Sequence, residues 1–277
     1  MKRFIGLITS LGAVFLLTAC HSSENEKAIV VGSQGSDAQV WAFIAKSEAA
    51  KKAGIKIEVQ EIDGGPQLNT ATAQGEVDVN AFQSISYLNS YNQDGGDTLA
   101  PIAATYMEPL GIYSSIYKTI DEVKEKSVVA LADNPANTAR GLKLLEAAGL
   151  IKLKEDFDNG TGTPSDIQEN PKKLEFKLID DTTGPRVLPD VDLVLISNTV
   201  ALEGGLNVLK DAIYYEKINE DTKESINVLA TKKSRSDEEE LLALGELYHS
   251  KEVQEYIKET FDGTKVEVKE SIEKIIE

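Results

Sequence analysis

Two histidines, one cysteine and a scatter of hydroxyls are the raw material for catalysis in this chain of 277 residues. A covalent hydrolase needs a nucleophile beside a base. His21 lies next to the N-terminus, and His249 sits beside Tyr248 and near Lys251 in a helical stretch. Neither is placed to activate a serine. Without a cluster of His or Cys, a zinc, manganese or copper site is not expected. "DFDNGTGT" (156–163) has the outline of a calcium loop, but its glycine falls one position early and its twelfth residue is Ile167 rather than Glu. The same glycines make no phosphate cradle, since no strand runs into them and no G-K-[ST] follows. Asp180 and Asp181, adjacent on a strand, would face opposite sides. The residues predict a protein that is not an enzyme and holds no metal and no cofactor.

One constellation fits binding rather than turnover. "DNPANTARG" (133–141) follows an apolar strand and opens a helix. Asn134 is a good N-cap, and Pro135 suits the first helical position, where no N–H is needed. The helix end would offer unpaired amides and a positive dipole to an anion. Arg140, two turns in, could add a two-pronged grip on a carboxylate. The plainer alternative is a capped helix with a surface arginine, and local sequence leaves both open.

The elements that would carry this constellation alternate, as in an α/β protein. Strands are expected at "AIVVGS" (28–33), "IKIEVQEI", "VDVNAF", "SVVALAD" (127–133), "LEFKLID", "VDLVLIS" and "DAIYYEK". Helices are expected over 36–53, at "QLNTATAQG", over 84–94 and 135–148, at "TVALEGG", and over 237–261 up to the stop at Asp262-Gly263. Extended connections near 106–114 and 222–232 imply two lobes, hinged, with a cleft between them where a ligand would bind. The expected division is residues 28–110 with 223–277 as one lobe and 111–222 as the other.

The N-terminus explains the single thiol. Lys2 and Arg3 precede a mostly apolar run over 4–17, too short for a membrane span of about 20 residues and suited to a secretory signal. It ends in Leu17-Thr18-Ala19-Cys20, which resembles the lipobox of bacterial lipoproteins. That resemblance implies a signal over 1–19, lipid on Cys20, a flexible tether over 20–27, and anchoring on the extracytoplasmic face of the cell membrane. Two or more acyl chains hold a protein at a bilayer stably. The formal charge is −17, and loss of Lys2 and Arg3 makes it two units more negative. So acidic a chain should repel nucleic acid and anionic headgroups, so the lipid must supply the attachment.

From residue 28 onward the sequence resembles the NlpA family, methionine-binding lipoproteins that serve ABC importers. "GEVDVNAFQ" followed by "YL", "YMEPLGIYS", "NPANTARGLKLLEAAGLIKLK", "DIQENPKKLEF" and "VDLVLISNTVALEGGL" stand in the family's order across nearly the whole chain. The resemblance implies an α/β, two-lobed, type II periplasmic-binding-protein fold with two hinge crossovers and a central cleft. It implies a monomer that closes on a small amino acid and hands it to a permease and ATPase complex. Arg140 would hold the ligand carboxylate with Asn137 beside it. Phe82 and Tyr87 would line the side-chain pocket. Gln83 and Glu108 would stand near the cleft, with Glu108 facing an ammonium group.

The departures bear on the ligand. Ser84 replaces the motif's histidine, and a glycine, at 64 or 65, stands where an aromatic is usual. Ser197, Thr199 and Val200 replace two asparagines and a tyrosine. Ser197 and Thr199 can still hydrogen-bond, with shorter reach than an amide. Lost bulk would admit a methionyl dipeptide or another amino acid in place of methionine, with Trp41 either refilling the space or packing in the core. The same departures keep open a lipoprotein adhesin or scaffold without ligand uptake.

Overall fold

The computed structural model describes residues 27–217 and 220–276. Cys20, the leader expected over 1–19 and nearly all of the tether lie outside them. The described chain forms two five-stranded sheets. The first runs, edge to edge, Ile57–Glu61, Ile29–Ser33, Val79–Ser84, Asn227–Lys232, Leu99–Ala104. The second runs Glu175–Ile179, Val128–Ala132, Leu193–Ile196, Gly111–Tyr113, Tyr214–Tyr215. In both, the first three strands are parallel and the fourth is antiparallel to its two neighbours. Each fourth strand is adjacent in sequence to strands of the opposite sheet, so the chain passes between sheets twice, once after Ala104 and once after Tyr215.

Helices cover both faces of each sheet, which explains the almost unbroken apolar strands. Side chains alternate along a strand. Leu229 therefore joins a core with Trp41, Ile44, Leu244 and Val253, while Val228 and Ala230 join Ile85, Leu88 and Leu99 behind it. In the second sheet Val129, Leu131, Leu193 and Leu195 pack with Leu142 and Leu145, and Ala130, Val194 and Ile196 point the other way. Trp41, 1% exposed, is core and does not refill the cleft.

Three expected elements differ in detail. The helix over 36–53 is two, Gly35–Ile44 and Glu48–Ala53, because Ser47 turns and caps the second by accepting from the Ala50 amide at 3.1 Å. The stretch over 237–261 likewise divides into Glu239–Tyr248 and Lys251–Thr260. At the break, the ring of His249 lies 2.9 Å from both Glu267 Oε1 and the Ala104 carbonyl. The connection expected over 222–232 is mostly the strand Asn227–Lys232, buried between two neighbours, and the crossing itself falls just before it. Its apolar run, "INVLA", resembles a linker only when the partners on either side are unknown.

Candidate ligand-binding cleft

Parallel strands deliver their C-terminal ends to one edge of a sheet, and ligands of open α/β sheets bind there. Val79–Ser84 ends in Phe82, Gln83 and Ser84, and Ser84 caps the helix Ile85–Gly95 by accepting from the Tyr87 amide at 3.2 Å. The serine that stands where the family motif has histidine thus fixes the start of this helix and the place of Tyr87. From the second sheet, Val128–Ala132 runs into Asn134, whose Oδ1 accepts from the Asn137 amide at 2.9 Å to open the helix Pro135–Ala147. Leu193–Ile196 runs into Ser197 and the helix Asn198–Glu203, and Glu175–Ile179 runs into Asp180 and Asp181.

These ends meet. Phe82, Gln83, Tyr87, Glu108, Asn137, Arg140, Ser197 and Thr199, singled out from sequence, all line one cavity of ≈ 70 Å³, together with Gln34, Gly65, Ser84, Asp181 and Val200. Phe82 and Tyr87 meet edge to face, ring centroids 5.7 Å apart. A Cβ on Gly65 would collide with the Tyr87 hydroxyl and lie 2.8 Å from Phe82 Cε2. The bulk that glycine removes is therefore replaced by the two rings leaning over it.

Arg140 is turned inward, its side chain 14% exposed. Its Nε donates to Glu216 Oε1 at 3.2 Å, and its Nη2 donates to Glu216 Oε2 at 2.5 Å and to the Glu108 carbonyl at 2.7 Å. Burial opposes its charge, but Glu216 beside it holds the guanidinium pKa above the ordinary value. Nη1 has no hydrogen-bond partner among the described residues. Nε has given its one hydrogen and Nη2 both of its own, so Nη1 alone is free to receive an anion.

Gln83 and Glu108 are committed to the protein. The Gln83 amide exchanges hydrogen bonds with Asn69 at 2.7 and 2.8 Å and donates to Asn80 Oδ1 at 2.7 Å. Glu108 Oε2 accepts from Asn198 Nδ2 at 2.9 Å and Lys265 Nζ at 3.1 Å, while Oε1 accepts from the Thr199 amide at 3.2 Å and its hydroxyl at 3.1 Å. Lys265, fully buried at its side chain, also donates to Asp37 at 3.0 Å and Thr199 Oγ1 at 3.2 Å, and lies 4.0 Å above the Tyr106 ring. Burial opposes the Lys265 charge, yet Asp37 and Glu108 hold its pKa above the ordinary 10.5. Burial likewise works against ionised Glu108, but Lys265 and the Asn198 amide bring its carboxyl below 4.5. The result is a charged lock. It joins the helix Gly35–Ile44 and the segment after Gly263 to the helix Asn198–Glu203.

Asp37, Lys265, Asn198 and Glu216 escaped the sequence reading, and Asp181, set aside there as a strand residue, opens the 3-10 turn Asp181–Thr183 just beyond the strand. Lys265 reads as a surface lysine just beyond a helix stop, and its partners lie 228 and 157 residues away. Asp181 Oδ2 accepts from Asn134 Nδ2 at 2.7 Å and Asn137 Nδ2 at 2.9 Å. It also lines a second chamber, of ≈ 560 Å³, that shares Gln34, Gly65, Tyr87 and Val200 with the first cavity and carries Asp63, Asp133, Asp180, Glu203 and one cation, Arg186. Among the described residues no group of three or more His, Cys, Asp or Glu could hold a metal, and no helix is long and apolar enough to cross a membrane.

Comparison with known proteins gives this cleft a context. The family described as NlpA lipoprotein matches residues 29–269. A relative from Pasteurella multocida, named a probable D-methionine-binding lipoprotein MetQ, is 33% identical, with 95% of this chain and 97% of that one covered. Protein PG110 from Staphylococcus aureus superposes with TM-score 0.85 at 36% identity, covering 90% of this chain and 97% of that one. The structure of a nutrient binding protein from Burkholderia cenocepacia bound to methionine superposes with TM-score 0.83 at 34% identity, covering 87% of this chain and 99% of that one. The fold is the two-lobed periplasmic-binding-protein arrangement that the sequence motifs implied.

Proposed function

Because the chain belongs to the NlpA lipoprotein family, whose members are substrate-binding lipoproteins and not enzymes, we propose that it captures an amino acid for an ABC importer. L-Methionine is the first candidate. Residues 28–110 with 223–277 form one jaw of this device and 111–222 the other, working as a monomer. A diacylglycerol on Cys20 holds the protein on the extracytoplasmic face of the membrane, within reach of the permease and its ATPase.

The observation that carries the reading is the half-free guanidinium of Arg140 in a cavity lined from both sheets. Glu216 and the Glu108 carbonyl hold the Nε–Nη2 edge, which fixes where Nη1 points and lowers the entropy lost when a carboxylate docks. Phe82 and Tyr87 supply apolar surface for a side chain such as a thioether, which makes favourable contacts with aromatic rings. A ligand bridging the jaws favours the closed arrangement by its differential affinity.

Native mass spectrometry of the purified chain identifies the ligand it carries, and calorimetry measures its affinity. Arg140→Ala should cost about 2–4 kcal/mol of binding, the loss expected for a desolvated charge pair. Wild-type affinity in that variant would remove Arg140 from the site. Thermal-shift screening of amino acids and short peptides tests the function as a whole, since a tight ligand must raise the melting temperature. No shift with any of them would favour an adhesin or scaffold.

A further inference from the structure

Two carboxylates line the cavity beside Arg140, and their surroundings differ in one decisive way. Glu108 already accepts four hydrogen bonds, two at each oxygen, and one of the donors is the Lys265 ammonium. A resident ammonium group occupies the place that an incoming one would need. Asp181 accepts two hydrogen bonds, both at Oδ2, from the amides of Asn134 and Asn137. Its Oδ1 has no partner among the described residues. Asn134, Asn137 and Arg140 follow one another at three-residue spacing, so the free oxygen and the free guanidinium nitrogen are served by one helix face, with roughly 5 Å of rise per turn.

We propose that Asp181 Oδ1 receives the primary ammonium group of a zwitterion whose carboxylate lies on Arg140. The ligand is an α-amino acid or a short peptide with a free N-terminus. This assignment rests on the solute-binding reading above. An ammonium carries three N–H donors and no acceptor, and of the two carboxylates only Asp181 has an oxygen left for it. The adjoining chamber strengthens the case, because Asp63, Asp133, Asp180 and Glu203 face a single cation, Arg186, and so favour positive charge at its mouth. Burial, aided by Asp180 and Asp133, pushes the Asp181 carboxyl above its ordinary value despite the two amides. A bound ammonium relieves that cost. Asp181 thus requires a cationic end of the ligand, while Arg140 requires an anionic one.

Calorimetry with three probes tests this: methionine, its desamino analogue, and methionylglycine. Wild type should bind the desamino analogue at least tenfold more weakly than methionine, and the tighter of methionine and methionylglycine tells which source supplies the ammonium. Asp181→Asn and Asp181→Ala should each weaken both ammonium-bearing ligands tenfold or more. Both should leave the desamino analogue within about twofold of its wild-type affinity. A crystal of the complex gives a readout free of mutation, with the ligand nitrogen expected within hydrogen-bond distance of Asp181 Oδ1. Variants that keep the wild-type preference for ammonium, or a ligand nitrogen on Glu108, would overturn the assignment and leave the binding function standing. Wild type that binds none of the three probes would overturn both.

Discussion

Lys265 is the cation that holds Asp37, Glu108 and Thr199 together beneath the cleft. All of its ammonium donors are used, on Asp37, Glu108 and Thr199, and its side chain is fully buried. Removing one partner of such a group leaves the others charged in a dry interior, which costs about 3–5 kcal/mol. Lys265→Met should therefore lower unfolding free energy by that order at pH 7, measured in urea. The pH dependence of the loss follows from linkage. Burial already holds folded-state Asp37 above its unfolded value despite Lys265. Without the lysine it would rise further and Glu108 would lose the charge that holds it down, so the variant would gain stability relative to wild type as pH falls. A deficit that stays constant between pH 7 and pH 4 would contradict this account. None of it was visible in the sequence. Arg140 and Asn137 were legible because capping rules and the family motif act over a few residues, whereas the lock is made by side chains far apart in the chain.

At the scale of elements, legibility followed locality again. The helix Pro135–Ala147 and its Asn134 cap stand where the strand-to-helix signals put them. Ser47 and His249 divide helices that periodicity alone would have continued, since a cap and a pair of long-range ring contacts decide those breaks. Asp78 shows how elements are tied together. Its carboxylate accepts from the Val30 amide at 2.8 Å and from Arg235 Nη1 at 2.6 Å, and Arg235 also holds Glu238. Partial burial raises the Asp78 carboxyl, but the Val30 amide and Arg235 together bring it below 3.8. A carboxyl depressed on folding adds stability that is complete above its unfolded value and disappears as pH falls through the folded one. Asp78→Asn should then cost about 1 kcal/mol at pH 7, discounted for solvent screening. The gap between variant and wild type should close below pH 3.8, as followed by thermal unfolding across that range.

Among the described residues, two five-stranded sheets are joined by two crossings, after Ala104 and after Tyr215. The fold class was legible in full, because alternation of strand and helix survives errors at element boundaries. The second connection, expected near 222–232, runs on into the strand Asn227–Lys232, because a central strand and an extended linker share the same composition. In the proposed cycle, the ligand draws the jaws together about these crossings. Saturating methionine should reduce the radius of gyration in small-angle scattering and raise the melting temperature. At a ligand concentration 100-fold above Kd, the stabilisation should be about 2.7 kcal/mol. Equal scattering with and without ligand would mean a cleft already shut.

The lock also sets an order of arrival. Asp37 and Glu108 precede Lys265 by 228 and 157 residues. During synthesis, two acids must wait for a cation made 157 residues after the second of them. Until it does, the roof over Glu108 lacks its keystone. A polypeptide that stops before Lys265 would leave Asp37 and Glu108 without their cation, and so would lack the tie between the helices Gly35–Ile44 and Asn198–Glu203.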